Sequence, residues 1–476
     1  MYGSVVDFHV SLAGRGDLGA RIYRQLHEAI IDGRLGPGER LPPTRELATS
    51  LAVSRNTVAA AYERLTAEGF LVGRVGAGTF VCAHPPAGPA PRDEPAGDVP
   101  VRPVWRELAA TMSVPGRPVV HDFRLGVPDA HRFPMAAWRR LVARELREVG
   151  VLASGYVDPA GHPGLRAAIA RHIGLSRSVR TDAADVVITH GAQQALDLVG
   201  RLLVEPGACV AVEEPGYPPV RRLLTSLGAR VVGVPVDGEG IVVSAIPRAA
   251  RLVYVTPSHQ FPLGTAMSLD RRTALLAWAH RRGAVLVEDD YDSEFRFADR
   301  PLEPLHSLDR GRRVVYVGSF AKTMLPMLRL GFLVVPPALR TVVRAAKEVT
   351  DRQGEITTQG AMAAFLTEGL FARHLRRATR EYAARHRRIV EVLRRDFADR
   401  LDVVPSTAGL HLAAYVRGQV DVDALVTRAA EAGVAVENLG AYYGEGPGLP
   451  GLALGYGAIE LDKIEPGLLR LAACWR

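Results

Sequence analysis

The sequence predicts an α/β protein in three stretches: an N-terminal winged helix-turn-helix, a linker, and a large domain built on a mainly parallel sheet. Three observations carry this expectation. From about Val119 onward, β-rich apolar runs alternate with amphipathic helical stretches, the pattern of strands covered by helices. Before that, "AHPPAGPAPRDEPAGDVPVRP", Ala83 to Pro103, is rich in Pro, Gly and Ala and nearly free of large apolar residues, as a semi-rigid tether is. The preceding 82 residues read as short helices followed by a hairpin. The boundaries expected are therefore 1–82, 83–117 and 118–476.

The elements follow in order. "DLGARIYRQLHEAIIDGRL" sets Leu18, Ile22, Leu26, Ile30 and Ile31 on one helical face. "GPGERLPP" turns the chain, and Thr44 is expected to cap "RELATSLA". "VS" turns again into "RNTVAAAYERLTAEG", with Ser54 as N-cap and Gly69 as stop. Two short helices across a tight turn fit a helix-turn-helix. "FLVGRVGAGTFV" alternates and carries Gly76 and Gly78 at its tip, like a wing. The second helix presents Ser54, Arg55, Asn56 and Thr57 at its start, side chains suited to phosphates and base edges in a major groove. Residues 1–82 hold nine Arg against eight Asp plus Glu, so pattern rather than net charge carries that expectation.

In the large domain, "DVVIT" precedes "AQQALDLVGRLL", "CVAVEEPG" precedes "PVRRLLTSLG", and "RRTALLAWAHRRG" precedes "AVLVEDD". Ligands of such sheets bind beyond the C-terminal ends of the strands, where polar residues collect. "THGAQQAL" offers backbone N–H groups at a helix start to an anion. Asp289 and Tyr291 follow "AVLVE", Ser319 and Lys322 follow "VVYVG", and Arg329 comes seven residues later.

Lys322 stands out by composition. Of 59 basic side chains, lysine occurs at Lys322, Lys347 and Lys463 alone, the other 56 being arginine. A lysine amine can lose its proton and bond covalently to a carbonyl; a guanidinium cannot. A lysine, a carboxylate, a phenol and an anion cradle together match pyridoxal 5′-phosphate (PLP), which needs an amine for its aldehyde, an acid for its ring nitrogen and cations for its phosphate.

Other readings bound the class. No apolar run approaches the ~18 residues of a membrane span. "MYGSVVDFHV" has no signal-peptide pattern. Three dispersed cysteines make neither a disulfide framework nor a metal site. A cytoplasmic protein with no membrane partner is expected. The net charge of +8 permits an anionic partner without naming one.

Two resemblances sharpen these expectations. "LPPTRELATSLAVSRNTVAAAYERLTAEGFLVGRVGAGTFV" resembles the winged helix of GntR-family regulators. "GYVDPAGHPGLRAAIARHI", "THGAQQALDL", "EEPGYPPVRRLL", "VTPSHQFPLGTAMSLDRR", "LVEDDYDSEFRF" and "SFAKTMLPMLRLGFLVVP" resemble fold-type I aminotransferases. The two joined in one chain are the arrangement of MocR/GabR-family transcriptional regulators.

The resemblance implies that Arg45, Arg55, Thr57, Gly76 and Gly78 contact double-stranded DNA. It implies that Lys322 carries PLP as a Schiff base, with Asp289 on the pyridinium and Tyr291 on the ring oxygen. Ser319, Arg329 and the N–H groups of Ala192 and Gln193 would hold the phosphate, and Tyr217 would stack on the ring. Tyr156 would reach the phosphate of a neighbouring subunit, which implies a homodimer on repeated half-sites. The effector would be PLP itself or a small amine or amino acid. Two departures bear on catalysis. Phe261 stands where aminotransferases carry an Asn on the ring oxygen, and "PGLALGYGAIELDK" holds no Arg to clamp a substrate carboxylate. A PLP-dependent regulator is therefore expected, with at most weak transamination; the alternative is a working aminotransferase with an appended DNA-binding domain.

Overall fold

A computed structural model describes residues 17–85, 100–112, 119–149, 155–297, 303–446 and 448–475. The chain divides into two compact units, Met1–Val101 and Arg102–Arg476.

In the first unit α1 (Leu18–Ile31), α2 (Thr44–Ser50) and α3 (Arg55–Ala67) precede a hairpin of β1 (Leu71–Arg74) and β2 (Gly78–Val81). The 3.6-residue period of α1 buries Ile22, Leu26 and Ile30 against Val58, Tyr62 and Leu65 of α3. Leu18 of the same expected face remains exposed, and Ile31 is half-buried. Asp17 caps α1 and Ser54 caps α3 by accepting from Thr57 N–H at 3.1 Å. Thr44 does not cap α2: it is the first helical residue, and Pro43 at the N-cap position supplies no side-chain bond. Gly76 and Gly78 both have positive φ, +75° and +115°, and form the tight tip of the hairpin.

The second unit opens with α4 (Pro103–Ala110). Much of the expected linker, 83–117, lies outside the described residues; α4 falls inside it and lies against the helix that begins at Pro218. The strands that follow are β3 (His121–Asp122), β4 (Val186–Thr189), β5 (Cys209–Glu214), β6 (Arg230–Asp237), β7 (Gly240–Ile241), β8 (Leu252–Val255), β9 (Val285–Asp290), β10 (Val314–Ser319), β11 (Gly331–Val334), β12 (Leu401–Val403), β13 (His411–Val416), β14 (Val434–Ala435), β15 (Glu437–Asn438) and β16 (Gly451–Gly455). The helices are α5 (Met135–Val149), α6 (Pro163–Arg177), α7 (Gly191–Leu203), α8 (Pro218–Ser226), α9 (Leu269–Arg282), α10 (Leu305–Leu308), α11 (Arg340–Asp351), α12 (Ile356–Thr367), α13 (Leu370–Asp396), α14 (Val422–Glu431) and α15 (Leu461–Ala473).

Eight strands form one sheet in the order β4-β11-β10-β9-β8-β5-β6-β7. Strands β4, β10, β9, β8, β5 and β6 run the same way; β11 and β7 run against them. Their near-continuous apolar sequences reflect burial on both faces. Val210, Val212, Tyr254, Val287, Val315 and Val317 face α7, α8 and α11, while Ala211, Val253, Val255, Leu286 and Val314 face α9. A smaller antiparallel sheet, β12-β13-β16-β15, packs its Leu412, Ala414, Leu452 and Leu454 into a core with α13, α14 and α15.

Candidate cofactor site and DNA-binding surface

The polar residues singled out in the sequence gather where the parallel strands end. The last residues of β9 and β10 carry Asp289 and Ser319 there, in adjacent parallel strands. Asp289 Oδ2 accepts a 2.7 Å hydrogen bond from the Tyr254 hydroxyl of β8, and Oδ1 is buried without a partner. Burial pushes the Asp289 carboxyl up to about 7, against the opposing pull of the Tyr254 hydroxyl.

Lys322 follows β10 by three residues and donates to the Gly126 carbonyl at 2.7 Å. Gly126 has φ +77°, and a Cβ built on it would stand 2.7 Å from the lysine Nζ, so a side chain there would displace the amine. Burial lowers the affinity of Lys322 for its proton, partly offset by the charges of Asp292 and Asp289. A half-buried amine that gives up its proton more readily than a free lysine is a nucleophile.

The anion cradle is built from β11 and α7. Gly331 pairs with Ser319 across β10 and β11, and its Cα lies against the first turn of α7. No side chain caps α7, so its first N–H groups, including those of Ala192 and Gln193, have no capping acceptor. Arg329, in a left-handed conformation at φ +50°, donates to the His190 carbonyl at 2.6 Å and lies beside Gly191. An exposed guanidinium at a helix N-terminus is an anion site. The Ser319 hydroxyl accepts from Ala321 N–H at 3.1 Å at the same corner.

Tyr217 is the N-cap residue of α8, edge-on to Phe261 with ring centroids 5.4 Å apart. Burial raises its phenol to about 12. Tyr291 donates to the His259 carbonyl at 2.9 Å and lies 3.1 Å from His259 Nδ1. Phe261 fills the space between Tyr217, Tyr291, His411 and Tyr442. Tyr156 stands apart from this group as an exposed ring with the Arg352 guanidinium 4.5 Å from its centre.

Sequence reasoning missed several partners. Tyr254, which holds Asp289, sits inside an apolar strand and reads as core. Gly126, the acceptor for Lys322, lies 196 residues from it. A buried group of His259, Asp292 and His411 was also missed: His259 Nδ1 bonds the Asp292 carboxylate at 3.0 Å, and its ring lies 4.6 Å from that of His411.

In the first unit Arg45, Ser54, Arg55 and Asn56 are exposed and Thr57 is half-buried. The Ser54 hydroxyl is shared between the Thr57 N–H and the Thr57 hydroxyl, the latter at 2.8 Å. The cap thus spends the polar atoms of Ser54 and Thr57 on the helix itself and leaves Arg55 and Asn56 projecting.

Comparison with known proteins agrees with both units. Residues 125–443 match the model for aminotransferase class I and II, and residues 18–81 match that for bacterial regulatory proteins of the gntR family. The chain is 38% identical to the probable rhizopine catabolism regulatory protein MocR of Rhizobium meliloti, covering 96% of this chain and 93% of that one. It is 33% identical to the HTH-type pyridoxine biosynthesis transcriptional regulator PdxR of Corynebacterium glutamicum, covering 94% and 93%. Among solved structures it resembles the alpha-aminoadipate aminotransferase LysN from Thermus thermophilus, complexed with N-(5′-phosphopyridoxyl)-L-leucine, with a TM-score of 0.69, 30% identity, and coverage of 78% of this chain and 94% of that one. With a gntR-type DNA-binding domain followed by an aminotransferase class I and II domain, the chain belongs to the MocR-type family of HTH transcriptional regulators.

Proposed function

We propose that this protein is a PLP-dependent, DNA-binding transcriptional regulator whose larger unit binds PLP at Lys322 and senses PLP or an amino compound. The observation that carries the reading is the lone buried oxygen of Asp289 within the same strand-end site as a half-buried lysine amine and a helix N-terminus flanked by Arg329. Each fits a different part of PLP. Asp289 Oδ1 lacks the donor that a protonated ring nitrogen supplies. The first turn of α7, Ser319 and Arg329 supply donors to a phosphate.

When bound, PLP supplies an aldehyde that condenses with amines and a ring that withdraws electrons from the joined nitrogen. Lys322 contributes an amine that burial keeps ready to lose its proton. Asp289, fixed by Tyr254, holds a proton at the ring nitrogen. Tyr291 orients against the ring oxygen, Tyr217 covers a ring face, and Ala192 and Gln193 bond the phosphate through their N–H groups. Tyr156 serves the phosphate of a second copy, in a homodimer. Arg45, Ser54, Arg55, Asn56 and Thr57, with the wing at Gly76 and Gly78, form the surface that meets DNA, and paired heads bind repeated half-sites in a promoter. The chain works in the cytoplasm. Effector binding shifts the conformational balance of the larger unit, the linker transmits it, and effector and DNA affinities are coupled reciprocally.

The test is a footprint titration on the DNA upstream of the gene, with apo-protein, PLP-loaded protein and PLP-treated Lys322→Ala at one fixed salt concentration. The reading requires that PLP change affinity or protected length and that Lys322→Ala abolish the change. Specific binding that ignores both PLP and amines removes the sensing role. Absence of a specific footprint in every state, with turnover of an amino donor, makes the protein an aminotransferase instead.

A further inference from the structure

Among the described residues, none of those lining the wall of the site on the side of the small sheet is a cation, and this bears on the ligand. Side chains alternate across a strand. In β13 and β16, Leu412, Ala414, Leu452 and Leu454 turn into the core of the small sheet. The opposite face is His411, Ala413, Ala453 and Gly455. Against it pack Leu125, Phe261, Leu263, Leu439 and Tyr442. Leu125 adjoins Gly126, the acceptor for the Lys322 amine, and Phe261 touches Tyr217 and Tyr291. This wall therefore borders the reactive lysine.

Most charged groups around the wall are paired; Arg222, exposed on α8, is within electrostatic reach of Tyr217 but is not among the residues packed on the wall. Arg124, next to Leu125 in the chain, is paired with Asp122, its Nε at 2.9 Å. Arg221 is paired with Glu214. Arg329 stands over the start of α7. His411 is buried, and burial together with His259 and Lys322 holds it well below the ordinary histidine range, so it is neutral. His259 is matched by Asp292 at 3.0 Å. An acidic side chain is bonded to the wall: Glu437 accepts from Leu125 N–H at 2.8 Å and from the Tyr442 hydroxyl. A carboxylate set against this wall would lose water and gain no positive partner.

We infer that the amine effector is a primary amine without a carboxylate, its body an alkyl or hydroxyalkyl group lying on the wall of Phe261, Ala413 and Ala453. The inference rests on the PLP-sensor reading above. The incoming amine takes over the bond that Lys322 Nζ gives up. The lysine leaves as a free amine, and no oxidant, reductant or water is consumed.

The test uses the full-length, PLP-loaded protein and follows the visible absorbance of the bound cofactor. Matched pairs are titrated: β-alanine against propanolamine, and alanine against alaninol. The expected result is at least tenfold tighter binding of each amino alcohol than of its amino acid. Equal or tighter binding of the amino acids, or no response to either member, overturns the inference. Ala453→Arg sets a cation on the wall and should shift each pair at least tenfold toward the amino acid; Ala413→Lys is the neighbouring alternative if the first variant loses the cofactor band. An Ala453→Arg protein that keeps the band and the wild-type preference also overturns the inference. If neither variant holds cofactor, the wild-type comparison decides. Failure of the underlying PLP reading is distinct, because the visible band would then not form before any amine is added.

Discussion

Tyr254 donates its hydroxyl to one oxygen of Asp289 at 2.7 Å and leaves the other oxygen buried and alone. In the cofactor-free protein burial raises this carboxyl to about 7, although the Tyr254 bond favours its ionised form. In an unfolded chain the same group titrates near ~4. The folded state therefore binds the proton more tightly, so the group's effect on stability becomes unfavourable as pH rises from ~4 to about 7 and is constant above that. Asp289→Asn removes this dependence. Between about pH 5 and pH 7 the cofactor-free wild type should lose roughly 2 to 3 kcal/mol more stability than the variant. Urea unfolding of both proteins at the two pH values reads the difference. An equal loss in both would show that Asp289 is ionised throughout.

Lys322→Arg keeps the charge and most of the volume but cannot bond a carbonyl carbon. The variant should fold, as judged by circular dichroism, and fail to retain PLP covalently after borohydride reduction, as judged by intact mass. Wild type should gain the mass of one reduced cofactor per chain. A cofactor mass on the Arg variant would move the attachment to another amine, and Lys347 and Lys463 are the side chains available.

The strand-end residues were legible in the sequence because β9 and β10 are unbroken apolar runs that stop abruptly at polar residues. Their C-terminal ends could be located without knowing which strands are neighbours. Tyr254 was not legible in the same way. Its role depends on pairing with β9, where Tyr254 lies opposite Val287 and reaches Asp289 two residues on. No local pattern encodes a contact across that separation. Lys347 shows a second limit. It is wholly buried and bonds Asp351 at 2.5 Å, while Asp351 also accepts from Gln194 and lies 3.3 Å from His190. This lysine braces the start of α7, a role that scarcity alone could not assign. In the winged helix, Ser54 was readable as a cap because capping is local; Thr44 was misread because Pro43 already occupies the cap position.

Arg55 projects from the first turn of α3 while Ser54 and Thr57 are occupied with the cap. Arg55→Ala should weaken operator binding by about 1 to 3 kcal/mol, roughly five- to 150-fold. Binding curves at several salt concentrations separate two causes. Loss of a phosphate contact flattens the salt dependence and weakens all sequences alike, whereas loss of a base contact relaxes sequence preference. An unchanged affinity would remove Arg55 from the DNA surface. Ser54→Ala tests the cap separately: it should cost α3 about 1 kcal/mol by loss of the bond to Thr57 N–H.

Gly331 is the position where the cradle leaves no room. A Cβ there would come within 2.7 Å of the Gly191 carbonyl carbon and 2.8 Å of its Cα. Those are backbone atoms of the first turn of α7, so the neighbour cannot swing aside as a side chain would. Gly331→Ala must push α7 away from β11, and overpacking of this kind costs about 1 to 3 kcal/mol. The displaced turn also carries the Ala192 and Gln193 N–H groups proposed to bond the phosphate, so PLP affinity should fall at least tenfold, as Arg329→Ala should also cause. Thermal unfolding and PLP titration on the same samples separate the two effects: Gly331→Ala lowers both stability and affinity, whereas exposed Arg329→Ala lowers affinity with little change in the melting temperature of the cofactor-free protein. Full PLP affinity in Gly331→Ala would mean that the phosphate is held without the start of α7.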